Sequence, residues 1–95
     1  VKRGNVVAVE AMEGTDRCIR RAGEVGGKGF VVVKVAKPGQ DVRFDLPTIG
    51  PTTIEILAAA GAAVRAFPAG LAYVLDEAAT VAAADRAGIA LVGLA

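Results

Sequence analysis

Asp41, Arg43 and Asp45 alternate with Val42, Phe44 and Leu46 in the segment 41–46. Along a strand, side chains two residues apart share a face at a spacing of about 6.5–7 Å. Extended structure over 42–46 would therefore line up the three charged groups and send the three apolar ones into a core. Lys34 and Lys37 come just before, across a Pro38-Gly39 turn that could fold them back within reach. Such a mixed-charge patch suits a phosphate and a divalent cation held together. It equally describes a solvated strand face whose charges only blunt a sheet edge.

Two further clusters have chemical potential. Thr48, Gly50, Pro51 and Thr53 stand where a helix begins, Pro being well placed at a first helical position. Helix N-termini present free N–H groups and partial positive charge, so they favour anions; ordinary capping explains the same residues. The other cluster is Glu10, Glu13, Gly14, Thr15 and Asp16. Glu13 and Asp16 there could ligate Mg²⁺ or bond a hydroxyl, or they could simply complement a helix dipole. Arg17, Arg20 and Arg21 form a basic stripe that fits either an anionic partner or a solvated face. Lys28, in Gly26-Gly27-Lys28-Gly29, does not make a phosphate loop. That motif needs Gly where Ala22 stands and Ser or Thr where Gly29 stands.

The elements that must position these groups follow from periodicity and punctuation. A strand is expected over 6–10, with Val7 and Val9 on one face. Thr15 is expected to cap a helix reaching about Val25, burying Cys18, Ile19 and Ala22. The β-branched run 30–35 reads as a buried strand. A second helix opens at Gly50-Pro51, with Ile54, Leu57, Ala58 and Gly61 at helical spacing. Short strands over 64–67 and 72–75 are expected to form a hairpin about the turn at 68–70. Asp76 caps a third helix over 77–87, Gly88 ends it, and 91–94 forms a last strand. The fold class is thus α/β: a layered domain with a mixed, partly parallel sheet and about three helices, forming a single domain over 1–95.

Composition narrows the function. With 95 residues, 54% hydrophobic and 22% charged, the chain can build one core. The net charge of +1 and four aromatics argue against a nucleic-acid surface. The single Cys18 rules out an internal disulfide and fits a reducing compartment. Histidine is absent, which excludes a Ser-His or Cys-His hydrolase within this chain and leaves carboxylates and water for any metal. No apolar run reaches the roughly 18–20 residues of a membrane span. The opening at Val1, without an initiator Met, is what a piece of a longer protein would show.

The segments VVAVEAMEGTDRCIRRAG and VKVAKPGQDVRFDLPTIGPTTIEILAAAG resemble the C-terminal domain of the LpxI-type UDP-2,3-diacylglucosamine pyrophosphatases of lipid A biosynthesis. The likeness continues through DEAATVAAADRAG to the end of the chain. It implies Mg²⁺-dependent hydrolysis of UDP-2,3-diacylglucosamine to UMP and 2,3-diacylglucosamine 1-phosphate. It also implies a preceding nucleotide-binding domain, a homodimer, and a cytoplasmic location or one peripheral to the inner membrane. Asp45, the aspartate of DLPTIG, corresponds to the family's essential acid. An aspartate with a reference pKa of about 3.9 and cationic neighbours is a weak base at pH 7. Asp45 is therefore expected to hold Mg²⁺ or orient water, while Lys34, Lys37 and Arg43 screen diphosphate charge. Thr15, Thr48, Gly50 and Thr53 would add hydrogen bonds to the substrate. The isolated chain is expected to be inactive. A non-catalytic module binding a phosphorylated lipid or sugar, or a dimerisation domain, is the alternative.

Overall fold

A computed structural model describes residues 1–35, 48–70 and 72–94. The elements run α1 (Thr15–Gly26), β1 (Phe30–Val33), β2 (Thr48–Ile49), α2 (Pro51–Ala60), β3 (Ala62–Pro68), β4 (Tyr73–Val74), α3 (Glu77–Ala87) and β5 (Ala90–Leu94). The fold is layered α/β with three helices, as expected. A three-stranded sheet has the order β1-β3-β5, and β2 pairs with β4 in a second, two-stranded sheet. Every one of these strand pairs is parallel. Antiparallel pairing is confined, among the described residues, to an isolated bridge between Lys2 and Asn5.

Helix order matches strand order: α1 packs on β1, α2 on β3 and α3 on β5, with α2 between the other two helices. Their shared core holds Ile19 and Ala22 of α1, Ile54 and Leu57 of α2, Ala84 of α3, and Phe30, Ala62 and Ile89. Isoleucine and alanine dominate, so the helices come close. Gly23 lies directly against the Ala60 carbonyl, and a side chain there would collide with it. Gly61, at φ +92°, ends α2 in the left-handed conformation that turns the chain straight into β3. Such tight α-to-β turns put each helix C-terminus at the start of a strand. The three helix N-termini therefore gather at the carboxyl edge of the sheet.

Two expectations are corrected. Residues 6–10 are not a strand. Reciprocal Lys2–Asn5 backbone bonds of 2.8 and 2.9 Å form a turn with Arg3 and Gly4 at positive φ. That turn redirects the chain after Val1, whose backbone carbonyl accepts from Val31 N at 2.7 Å. Ala8 then packs against the core, while Val6 and Val9 stay exposed. The hairpin about 68–70 is also absent: β3 joins the central sheet, whereas β4 pairs with β2. Crossover through α3 lets β5 occupy the edge of β3 that a hairpin partner would have used. The expected strand over 42–46 lies outside the described residues.

Candidate anion-binding site

Lys34 follows the last residue of β1, and Thr15 is the first residue of α1, whose N-cap is Gly14 rather than Thr15. Because α1 runs back along β1, the two meet: Lys34 Nζ donates to Thr15 Oγ1 at 2.9 Å. The same hydroxyl donates to Glu10 Oε2 at 3.0 Å. Freed from capping, Thr15 thus bridges a cation and a carboxylate. The N-cap Gly14 has no side chain to cap α1, so the first N–H groups of the helix face the same region, where an anion is favoured.

Behind these groups lies a cavity of about 260 Å³ between α1 and β1, walled by Val6, Val9, Cys18, Ile19, Val32 and their neighbours. Arg65 forms part of its lining. This residue is not among those singled out from sequence, although it is the lone charge in the apolar run AAVRAFP. It is only 2% exposed, and neither Nε nor Nη1 has a hydrogen-bond partner among the described residues. Burial alone pushes its guanidinium pKa below the ordinary arginine value. The Cys18 thiol on the same wall is pushed up chiefly by burial, with Arg21 opposing and Glu13 reinforcing the shift.

A slip in strand register explains how Arg65 came to face inward. Phe30 pairs with Ala62, but Val31 pairs with Val64 and Val32 with Arg65. Ala63 is the extra residue, and it inverts the alternation of β3 beyond it. Phe30 and Ala62 belong to the helix-side core, and Val32 packs against it. Arg65, level with Val32, therefore shares that side.

The other residues singled out from sequence are placed as follows. Glu13 is engaged by Arg21, which donates from Nη2 to Oε1 and from Nε to Oε2 at 3.3 Å. That carboxylate also raises the Arg21 pKa. Asp16 lies in the first turn of α1 and lines a shallow depression with Glu13, Thr15, Arg17 and Arg20. At α2, Pro51 occupies the start and Gly50 N donates to Thr53 Oγ1 at 3.2 Å, so this threonine serves the helix end. Thr48 lies in β2, beside that same end. Lys37, Asp41, Arg43 and Asp45 lie outside the described residues. Among the described residues, no three carboxylate or thiol side chains converge as a metal site would require.

Parallel strands, clustered helix N-termini and inward cations define an α/β domain whose cavity runs along β1 to an anion-favouring end at the carboxyl edge of the sheet. Comparison with known proteins gives the family. Residues 1–92 match the LpxI C-terminal domain, and the chain belongs to that family. The UDP-2,3-diacylglucosamine pyrophosphatase LpxI of Caulobacter vibrioides is 42% identical over 102 residues, covering 99% of this chain and 36% of that protein. The chain thus spans about a third of that relative's length.

Proposed function

We propose that this chain is the C-terminal part of an enzyme of lipid A biosynthesis. The enzyme hydrolyses UDP-2,3-diacylglucosamine to UMP and 2,3-diacylglucosamine 1-phosphate. Membership of the LpxI family carries this reading. The cavity supports it, because apolar walls beside Lys34, Arg65 and a helix N-terminus suit a ligand that is both acylated and phosphorylated.

In this reading Lys34 and the backbone N–H of Thr15 bind phosphate oxygens, while the Thr15 hydroxyl, donating to Glu10, holds the lysine in place. Lys37 and Arg43 add charge, and Thr48, Gly50 and Thr53 contribute from the start of α2. Asp45 is the essential acid. Mg²⁺, when bound, would neutralise diphosphate charge and activate water. The carboxylates described are a poor fit to that ion: Glu13 is taken by Arg21 and Glu10 by Thr15. In this reading Asp45 is the principal ligand and Asp16, in the first turn of α1, a second. The enzyme would be cytoplasmic or peripheral at the inner membrane and would act as a homodimer. A preceding domain would bind the uridine nucleotide.

The test is UMP release from UDP-2,3-diacylglucosamine by the protein with its N-terminal domain attached. Asp45→Asn should lower Mg²⁺-dependent release by roughly a hundredfold or more, and the 95-residue chain alone should release none. Near-normal release by the Asn variant would refute the role of Asp45. A second reading is a binding-only module, which the apolar cavity beside Lys34 and Arg65 would serve equally well. Retained binding of the 1-phosphate, with no turnover in the longer protein, would establish that module instead.

A further inference from the structure

Among the described residues, nothing answers Arg65, a buried cation. An unpaired guanidinium at 2% exposure, with Nε and Nη1 lacking acceptors, is strongly unfavourable. A methionine would fill similar space without that penalty. The strand is also irregular just before it, and the slip at Ala63 is what turns Arg65 inward where Val64 would otherwise face the helices. Both features make sense if an acceptor arrives from outside the chain. The cavity that Arg65 lines offers a second cation, Lys34, and the N-terminus of α1, whose N-cap is Gly14 and whose first residue is Thr15. Among the described residues, the one carboxylate on the cavity wall is Glu10, which already receives the Thr15 hydroxyl. Between these polar groups the wall is apolar: Val6, Val9, Ile19 and Val31.

We propose that Arg65 is the anion anchor of this cavity. Together with Lys34 it takes the phosphate of an amphiphilic phosphate ester whose hydrocarbon part lies against Val6, Val9 and Ile19. This deepens the reading above and rests on it only for identifying that ester as the enzyme's substrate or product. Arg65 donates from its planar fork and Lys34 as a point charge, and the ligand supplies the acceptors that the guanidinium lacks.

Octyl phosphate, inorganic phosphate and octanol serve as probes, titrated into the 95-residue chain at low ionic strength by calorimetry. Octyl phosphate should bind at least tenfold more tightly than either of the others. Addition of octyl phosphate should shift the ¹⁵N resonance of Arg65 Nε. Arg65→Met should melt at the same or a higher temperature, because it removes an unpaired buried charge, yet lose at least tenfold in octyl phosphate affinity. Arg86→Met, which removes an exposed arginine of α3, should bind as the parent does. The proposal is overturned if Arg65→Met binds octyl phosphate unchanged, or if the Arg65 Nε resonance stays put at saturation. It is also overturned if inorganic phosphate binds as tightly as the ester. In the longer protein, unchanged UMP release by Arg65→Met would overturn the anchor and leave the enzymatic reading intact. Octyl phosphate bound at Arg65 in a protein that releases no UMP would do the reverse.

Discussion

Lys34 Nζ donates to Thr15 Oγ1 over 2.9 Å, linking the residue just past β1 to the first residue of α1 across 19 positions of sequence. The threonine hydroxyl in turn donates a hydrogen bond to Glu10 Oε2 at 3.0 Å, so three elements of the site are held by one side chain. Thr15→Val, which keeps the shape and removes the hydroxyl, should lower stability by about 1 kcal/mol. Urea unfolding measures this. A loss below a few tenths would mean that the bridge is not formed in solution.

Gly23 lets α1 touch α2. A Cβ at this position would collide with the Ala60 carbonyl oxygen, which belongs to backbone and cannot rotate away. Gly→Ala in a helix ordinarily gains about 1 kcal/mol. Here overpacking should outweigh that gain, and Gly23→Ala should destabilise by about 1–3 kcal/mol. A rise in melting temperature would show that the helices are further apart than described.

Thr80 is fully buried, and its Oγ1 donates to the Leu75 carbonyl at 2.6 Å, fastening the start of α3 to the chain beside β4. Leu75 N in turn donates to Ile49 O at 2.8 Å, so this bond holds the small sheet against α3. Thr80→Val leaves that carbonyl without its donor and should cost about 1–2 kcal/mol. Hydrogen exchange should speed up at Leu75 more than at β3. Uniform change across both would argue against a local tether.

Cys18 has its thiol pKa raised, mainly by burial. The folded state therefore binds this proton more tightly than the unfolded chain does. The associated stability is fully present below the unfolded thiol pKa and is lost as pH rises through the folded one. Alkylation by iodoacetamide at pH 8 should accordingly be slower in the native protein than in urea, and its pH midpoint should be higher. A native rate at or above the unfolded rate would contradict this placement. Stability should also fall above about pH 8.5 by more in the parent than in Cys18→Ala.

Much of the architecture was legible because local chemistry and fold agree. Gly50-Pro51 opens α2, Asp76 and Gly88 bound α3, and the β-branched run from Phe30 becomes β1. The family was legible in the DLPTIG and EGTD segments and is shown by the match over residues 1–92. Pairing was not legible in the same way. Val64–Phe67 and the strand at Tyr73 have the spacing of a hairpin, yet nothing local says that β5 will claim the β3 edge after a crossover through α3.

What the sequence determined by itself is the inventory: one α/β core, its helices and strands, no histidine, one thiol, and a polar segment placed before a helix start. Tertiary structure decided which of those groups meet. Thr15 and Lys34 become neighbours only because α1 folds back along β1. Arg65 reads on the chain as an ordinary charge that should face water. It points inward because one extra residue in β3 shifts the register against β1, and a shift of one residue in a strand exchanges its two faces.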